Sequence, residues 1–511
     1  MRPWVLFSVL LVPIPGSLLE ARRVPAGADQ VNFSEHIAPI IFGNCTVCHH
    51  PGAAAPFPLL SYRDVFKRGR LIEEVTRTRY MPPWPAAQGW GEFQGERRLG
   101  GEEIDLIRQW VEGGMLQGDP ALQPVAPQFR DTWKWGEPDL VVTIEEPYSV
   151  PPDGPDIYRN FAIDLGLSAD RWLQAMAFHP TAKSAAHHAL FLFDATGASR
   201  QIQSEDPEPG FALMRGGVFA RQPARAFART SVRAPAGWLG SWAVGREGWK
   251  VPNGFARHLP AGSDLVVQLH LHPSGKSAME RARVGFYFAE KPGREFTCLS
   301  LPVMFGRFAG IDIPGGVSDY VVEDSFVLPV DVEVLSASAH AHYLGKEMKM
   351  KATLPGGEEK GLLWLPDWDF SWQDQYQYKE LLFLPRGTRI DVSISYDNST
   401  GNPHNPNHPP KRVTWGTAST DEMGRMALWV VPVIDSEAEV LQRVRWRAVQ
   451  RAWVTQALES PDAWESIPRR IRERFDADGD ERFSDIEKEA IRKYLDKGVD
   501  RASRRRSAES P

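Results

Sequence analysis

The chain has 511 residues but only three cysteines, Cys45, Cys48 and Cys298, too few for a disulfide framework that could stand in for a hydrophobic core. Positive charge is not in excess either. Lys and Arg number 59 against 65 Asp and Glu, a formal net charge of -6, which excludes a basic field for gripping nucleic-acid phosphates. Long apolar runs are missing as well. The best candidate, Trp4 to Ile14, is too short to span a bilayer and is interrupted by Pro13. With Arg2 before it and Ala26-Gly27-Ala28 after it, residues 1–28 read instead as an export leader removed near Asp29, and no permanent membrane span is expected.

What remains is a chain with ordinary globular proportions, 42% hydrophobic and 24% charged. At about 150 residues per domain its length implies several folded units. Because disulfides are excluded, the cysteines call for another use. The string NCTVCHHPG sets Cys45 and Cys48 three apart with His49 directly after, the spacing for two thioether bonds to a haem and one axial nitrogen. A zinc site would want two further ligands nearby, and no second cysteine pair follows. For the sixth iron ligand Met81 is the choice, held beside two prolines in RTRYMPPWPA, with His36 and His50 as competitors. Helices are expected over FSEHIAPIIFGNC and LGGEEIDLIRQWVEGG. The arrangement resembles the single-haem c-type cytochrome domains that open many bacterial multidomain proteins, and residues 29–120 are assigned to it. A proline-rich linker, 121–138, follows.

From residue 139 the pattern changes to short β-type runs between Gly, Pro and Asp turns, enough for two all-β sandwiches at 139–292 and 293–436. Histidines gather on these runs as His187-His188, as His270 and His272, and as His340 and His342. Residues two apart on a strand share a face, so His340 and His342 can grip one ion from one side. Adjacent residues diverge, so His187 and His188 can meet at one ion only where the strand is bulged or begins. Imidazoles suit copper, zinc, iron or nickel, and an added thioether favours reduced copper.

The segments AHHALFLFD, LVVQLHLH, SASAHAHYLGKEM and STDEMGRMAL fall in the order found in the copper type II ascorbate-dependent monooxygenases, the group of the peptidylglycine α-hydroxylating and dopamine β-monooxygenases. Over residues 139–435 the chain resembles that family. The resemblance implies jelly-roll-like sandwiches and two copper ions. His187, His188 and His270 would form an all-histidine, electron-transferring site, and His340, His342 and Met423 the catalytic site where dioxygen is used. His272 competes with His270, and Met426 with Met423. Unlike the disulfide-rich animal enzymes, this region has only Cys298, read as a free buried thiol. Hydroxylation of a C–H bond of a small organic substrate is the implied activity, its electrons passing from an external donor through haem c. Two rivals stand beside it: a haem and copper protein that transfers electrons or binds copper without hydroxylating, and a haem domain that accepts electrons from an oxidation at copper. Thioether-bound haem and exported copper place the chain in the periplasm or outside the cell.

Beyond residue 436 the pattern turns helical and charged. DADGDERFSDIE sets Asp476, Asp478, Asp480, the Arg482 carbonyl, Ser484 and Glu487 at the spacings of an EF-hand calcium loop, flanked by helical runs. Glu481 stands where the loop wants glycine for a sharp turn. The expected helical EF-hand segment is 437–498, and 499–511 a solvated tail. The fold class expected is thus multidomain: a small all-α cytochrome, two β-sandwiches and a C-terminal α-helical EF-hand.

Overall fold

The computed structural model describes residues 30–129, 132–212, 236–246, 248–291, 293–416, 418–459 and 463–504. The expected leader at 1–28 lies outside the described residues, as does the end of the tail. The chain is mixed and multidomain, with helices at both ends and antiparallel sheets between them. Among the described residues no helix is long and apolar enough to cross a membrane.

The N-terminal unit begins with one helical stretch, Phe33–Ile37 running into Ala38–Asn44, capped by Asn32, whose side chain accepts from the Glu35 amide. Gly101–Glu112 packs against it, opened by a capping-type bond from the Gly100 amide to Glu103. Phe33, Ile37, Ile41, Ile107 and Trp110 recur at helical spacing and close a small core.

The first β unit pairs four strands in the spatial order Ile157–Asp164, Asp264–Leu271, Ala186–Asp194, Ala236–Ala243. A second antiparallel sheet, built on Arg171–His179 and Arg283–Phe288, faces it across a core that includes Phe161, Phe178, Phe191 and Phe286. The second β unit repeats the plan. Thr297–Leu301, Gly424–Pro432, Val332–Ala341 and Gln375–Leu384 form one sheet, and Tyr320–Val327, Arg389–Tyr396, Gly345–Thr353 and Glu359–Leu365 the other. Leu335, Trp429 and Val431 of the second unit join the core of the first, which ties the two together.

The segment after Met81 takes part in a different core from the helices before it. Trp84, Ala86 and Phe93 are buried among Tyr376, Tyr378 and the rest of the second β unit's core. Their backbone also adds to that unit's edge, Gln94 donating to Gln377 O at 2.7 Å and Lys379 to Glu92 O at 2.9 Å. Near the C-terminus, Arg469–Phe475 and Asp485–Arg504 flank the acidic loop.

Candidate functional site

Antiparallel pairing sets His188 directly opposite His270, so both rings leave the sheet on one face. The register slips between Ala186 and His188, which makes His187 the extra residue of a bulge. That irregularity lets two neighbours in sequence turn toward one point. Nδ1 of His188 lies 3.3 Å from Nδ1 of His187 and 3.3 Å from Nδ1 of His270. Each of the three offers a ligand atom within 4.8 Å of the others.

Burial pushes the His187 imidazole down to about 4, helped by His270, and His188 well below its ordinary value. His187 and His188 are therefore neutral near pH 7, the state a metal requires. Asp156 stands behind them. Its Oδ2 lies 3.0 Å from His270 Nε2, off the line of an ideal hydrogen bond, and accepts from the Tyr343 hydroxyl at 3.0 Å. Burial opposes ionisation of Asp156, yet the neighbouring His270 ring and the bond from His272 hold it well below the usual carboxylate range. A carboxylate at Nε2 favours a proton there and a lone pair on Nδ1, so the converging Nδ1 atoms suit a cation. His272 is exposed, and its Nδ1 bonds Asp156 Oδ1 at 2.7 Å. The structure thus puts His272 on the supporting carboxylate.

The second cluster needs no bulge. His340 is the penultimate residue of the Val332–Ala341 strand and His342 follows directly after its end, their ring centroids 5.3 Å apart. His340 Nδ1 donates to Gln373 Oε1 at 2.6 Å, and the Gln373 amide group itself donates to Phe370 O, which fixes its orientation. His342 Nδ1 donates to the Asp421 carbonyl at 3.1 Å. With Nδ1 protonated in both rings, Nε2 carries the lone pair. Burial, then the neighbouring His342, takes His340 down to about 3, and burial takes His342 to about 4.

Met423 directly precedes the neighbouring strand, whose first residue Gly424 pairs with Ala341, so Met423 and His342 each lie one residue past the last paired position. Met426 pairs with Ala339 and is fully enclosed in the core of the second β unit. Behind Met423 lies Glu422, buried completely. It accepts N–H bonds from His342 at 2.6 Å, Met423 at 2.8 Å and Leu344 at 3.0 Å, yet burial pushes it up to about 8. One side chain therefore holds the backbone of two candidate ligands.

Phe370 stands between the clusters. Its ring centroid is 5.7 Å from that of His270 and 5.8 Å from that of His342, so little more than one phenyl ring separates them.

In the helical unit, Cys45 and Cys48 are unpaired, and burial, then Cys48 and Glu103, push the Cys45 thiol up to about 12. His49 Nδ1 donates to Phe57 O at 3.0 Å, which leaves Nε2 as the free-electron-pair nitrogen an axial ligand uses. His50 Nδ1 is held on Thr46 O and its ring stacks on Phe129 at 3.8 Å, while His36 Nδ1 accepts from the Asn32 amide. Both competitors thus have local structural partners. Met81 is half-buried, its amide bonded to Val75 O at 2.9 Å. Cys298 is unpaired and half-buried, with Arg425 Nη1 4.0 Å from its sulfur.

In the acidic loop Asp476, Asp478 and Glu487 bring carboxylate oxygens within 4.8 Å of one another. Asp480 Oδ1 accepts from the Arg482 amide at 2.8 Å. Glu481, at the glycine position, has a left-handed φ of 57°, so the sharp turn forms despite its side chain. Ser484 and Glu487 also form a reciprocal cap at the start of Asp485–Arg504, which gives both a helical duty besides any ion.

Sequence reasoning missed Asp156, Gln373, Phe370 and Glu422. Glu422 alone carried a signal, adjoining Met423 within the DEM string, whereas the others sit in turns without periodicity.

No family model and no curated protein matches the chain. Among solved structures, one described as "Structure of infectious bursal disease virus Gx strain" is 8% identical, covering 62% of this chain and 76% of that one at a TM-score of 0.17. The VP2 subviral particle of that virus gives the same figures. Likeness at that level carries no argument.

Proposed function

We propose that this chain is an exported copper-dependent monooxygenase that hydroxylates a C–H bond of a small organic substrate with dioxygen, supplied with electrons through a covalently bound haem c. The observation that carries it is the convergence of three imidazole Nδ1 atoms beside a phenyl ring that also borders a His-x-His pair, with a methionine directly before the strand paired to that segment. In this proposal residues 29–120 are a c-type cytochrome domain, 139–292 and 293–436 jelly-roll-like copper sandwiches, and 437–498 an EF-hand.

His187, His188 and His270 hold one copper, His340, His342 and Met423 the other, and Cys45, Cys48 and His49 the haem, with Met81 as its second axial ligand. Asp476, Asp478, Asp480, Arg482 through its carbonyl, Ser484 and Glu487 hold calcium. Copper at the thioether site would supply dioxygen activation, the softer sulfur favouring the cuprous state, while the all-histidine copper and the haem would supply electrons. The chain's own part is to keep His187, His188, His340 and His342 neutral by burial and to fix tautomers through Asp156, Gln373 and the Asp421 carbonyl. An external one-electron donor and a location in the periplasm or outside the cell complete the proposal.

Phe370, packed between the clusters, favours a second reading in which the chain transfers electrons without hydroxylating. Metal analysis and isotope labelling separate the two. The monooxygenase predicts two coppers and one haem per chain and one oxygen atom from labelled dioxygen in the product of a small-molecule panel. Copper that cycles with the haem while label enters no product would establish the electron-transfer reading instead.

A further inference from the structure

The Cys45–His49 motif belongs to the helical unit and the histidine clusters to the β units, so their separation depends on how those units are joined. Cys48 lies against a turn of the first β unit. A Cβ built on Gly245 would stand 3.2 Å from Cys48 Sγ and 3.8 Å from Arg97 Nη1. With φ at 87° as well, that position calls for glycine twice over. Two residues earlier, Ala243 is the partner of His188 across the sheet.

A single carboxylate secures this contact. Arg97, from the segment that follows the haem motif, donates to Asp374 Oδ2 at 3.0 Å, and Arg246, next to Gly245, pairs with Oδ1. Arg97 also donates to Pro83 O at 3.2 Å, so the guanidinium is anchored on its own side. Asp374 is 8% exposed and belongs to the second β unit. Its neighbours reach the histidine cluster directly. Gln373 accepts from His340 at 2.6 Å, while Gln375 donates to Ser336 Oγ at 2.8 Å and its carbonyl accepts from Arg246. Two guanidiniums from different units, largely withdrawn from water, would repel each other without the anion between them.

We propose that Asp374 is a positioning residue that clamps the Cys48–His49 segment onto the Gly245 turn, and so fixes the distance from the haem-binding motif to both histidine clusters. Its value for electron supply rests on the copper and haem proposal above, whereas the clamp itself does not.

Hydrogen exchange on the full-length holoprotein tests it, comparing wild type with Asp374→Asn, which keeps the shape and removes the charge, and with Arg97→Ala, which removes the cation and leaves Asp374 in place. Both variants are expected to speed exchange about tenfold or more at the amides of Gln94, Lys379 and Arg246, with strand 332–341 still protected and haem content unchanged. The double variant should add little to either. Pulsed EPR on oxidised protein should show the haem-to-copper distance distribution broadening in each variant. Unchanged exchange at those three amides would overturn the clamp, as would protection lost equally through both β units, which marks a purely structural residue. A wild-type chain that takes up no copper would sink the copper proposal while the exchange comparison still decides the clamp.

Discussion

The two histidine clusters are built from opposite ring atoms. In the triad, Nδ1 atoms converge and a carboxylate stands at the far nitrogen of His270; at His340 and His342, Nδ1 is tied to protein acceptors and Nε2 is left for a ligand. The backbone explains the difference. Alternate residues share a face without effort, so His340 on the strand and His342 just past its end come together without a bulge between them. Adjacent residues do not, so His187 requires the bulge opposite Leu271 and His270. A cluster made from a bulge depends on its central member, whereas one made from a regular strand depends on what braces its backbone.

His188→Ala breaks the comparison most sharply. Its Nδ1 lies 3.3 Å from both other triad Nδ1 atoms, so its removal is expected to cut bound copper from two per chain to one. Metal analysis with EPR checks this, and retention of both coppers would show that the triad is not a site. Phe370→Ala should come next and act on both clusters alike, since the ring touches both. Deleting a buried phenylalanine costs about 3–5 kcal/mol, visible as a lowered denaturation midpoint in urea, with copper affinity falling at both sites together. Loss at one site only would mean that Phe370 belongs to that cluster and is no shared wedge.

Much of this comparison was legible in the sequence, and what was not has a physical reason. Periodicity marks residues on strands, so the histidines, the two β-rich regions and the helices flanking the cysteines could be read from spacing. The cost of the adjacent pair His187-His188 was also readable, because alternation makes a bulge or strand start necessary, and the bulge is present. Asp156 and Gln373 were invisible because they lie in turns and act through contacts more than a hundred and about thirty residues away in sequence, respectively. Trp84 and Phe93 misled in another way. Their neighbours in sequence belong to the helical unit, but their side chains complete the core of the second β unit, and nothing in local pattern distinguishes one core from another.

The bracing residues sharpen the contrast at lower cost. Glu422→Gln, compared with wild type above about pH 8 where the carboxylate is ionised, turns Oε2, which accepts from the Leu344 amide, into a donor facing a donor, an unmet buried pair worth about 1–3 kcal/mol. Because the same side chain holds the His342 and Met423 backbones, copper affinity should fall about 10–100-fold at the thioether site alone, measured by competition with a cuprous chelator. Equal weakening of the triad would contradict the separate bracing of the two clusters.

Asp156→Asn should have the smallest effect, and on the other cluster. The carboxylate offers one oxygen to His272 and the other to Tyr343 and the His270 edge. An asparagine keeps a single acceptor oxygen, so at least one of these partners must face an amide donor instead. The His270 tautomer with its lone pair on Nδ1 then loses its electrostatic support, while the His188 and His187 nitrogens are untouched. About a tenfold loss of copper affinity at the triad is expected, at the lower end of what such supporting carboxylates contribute, with the thioether site unchanged. His272→Ala separates the two roles of Asp156. It removes a bond from the exposed side only and should leave triad affinity within about twofold, because the surface position of His272 makes its bond to Asp156 a weak one. A tenfold loss in the His272 variant would instead make that histidine a ligand and reassign His270.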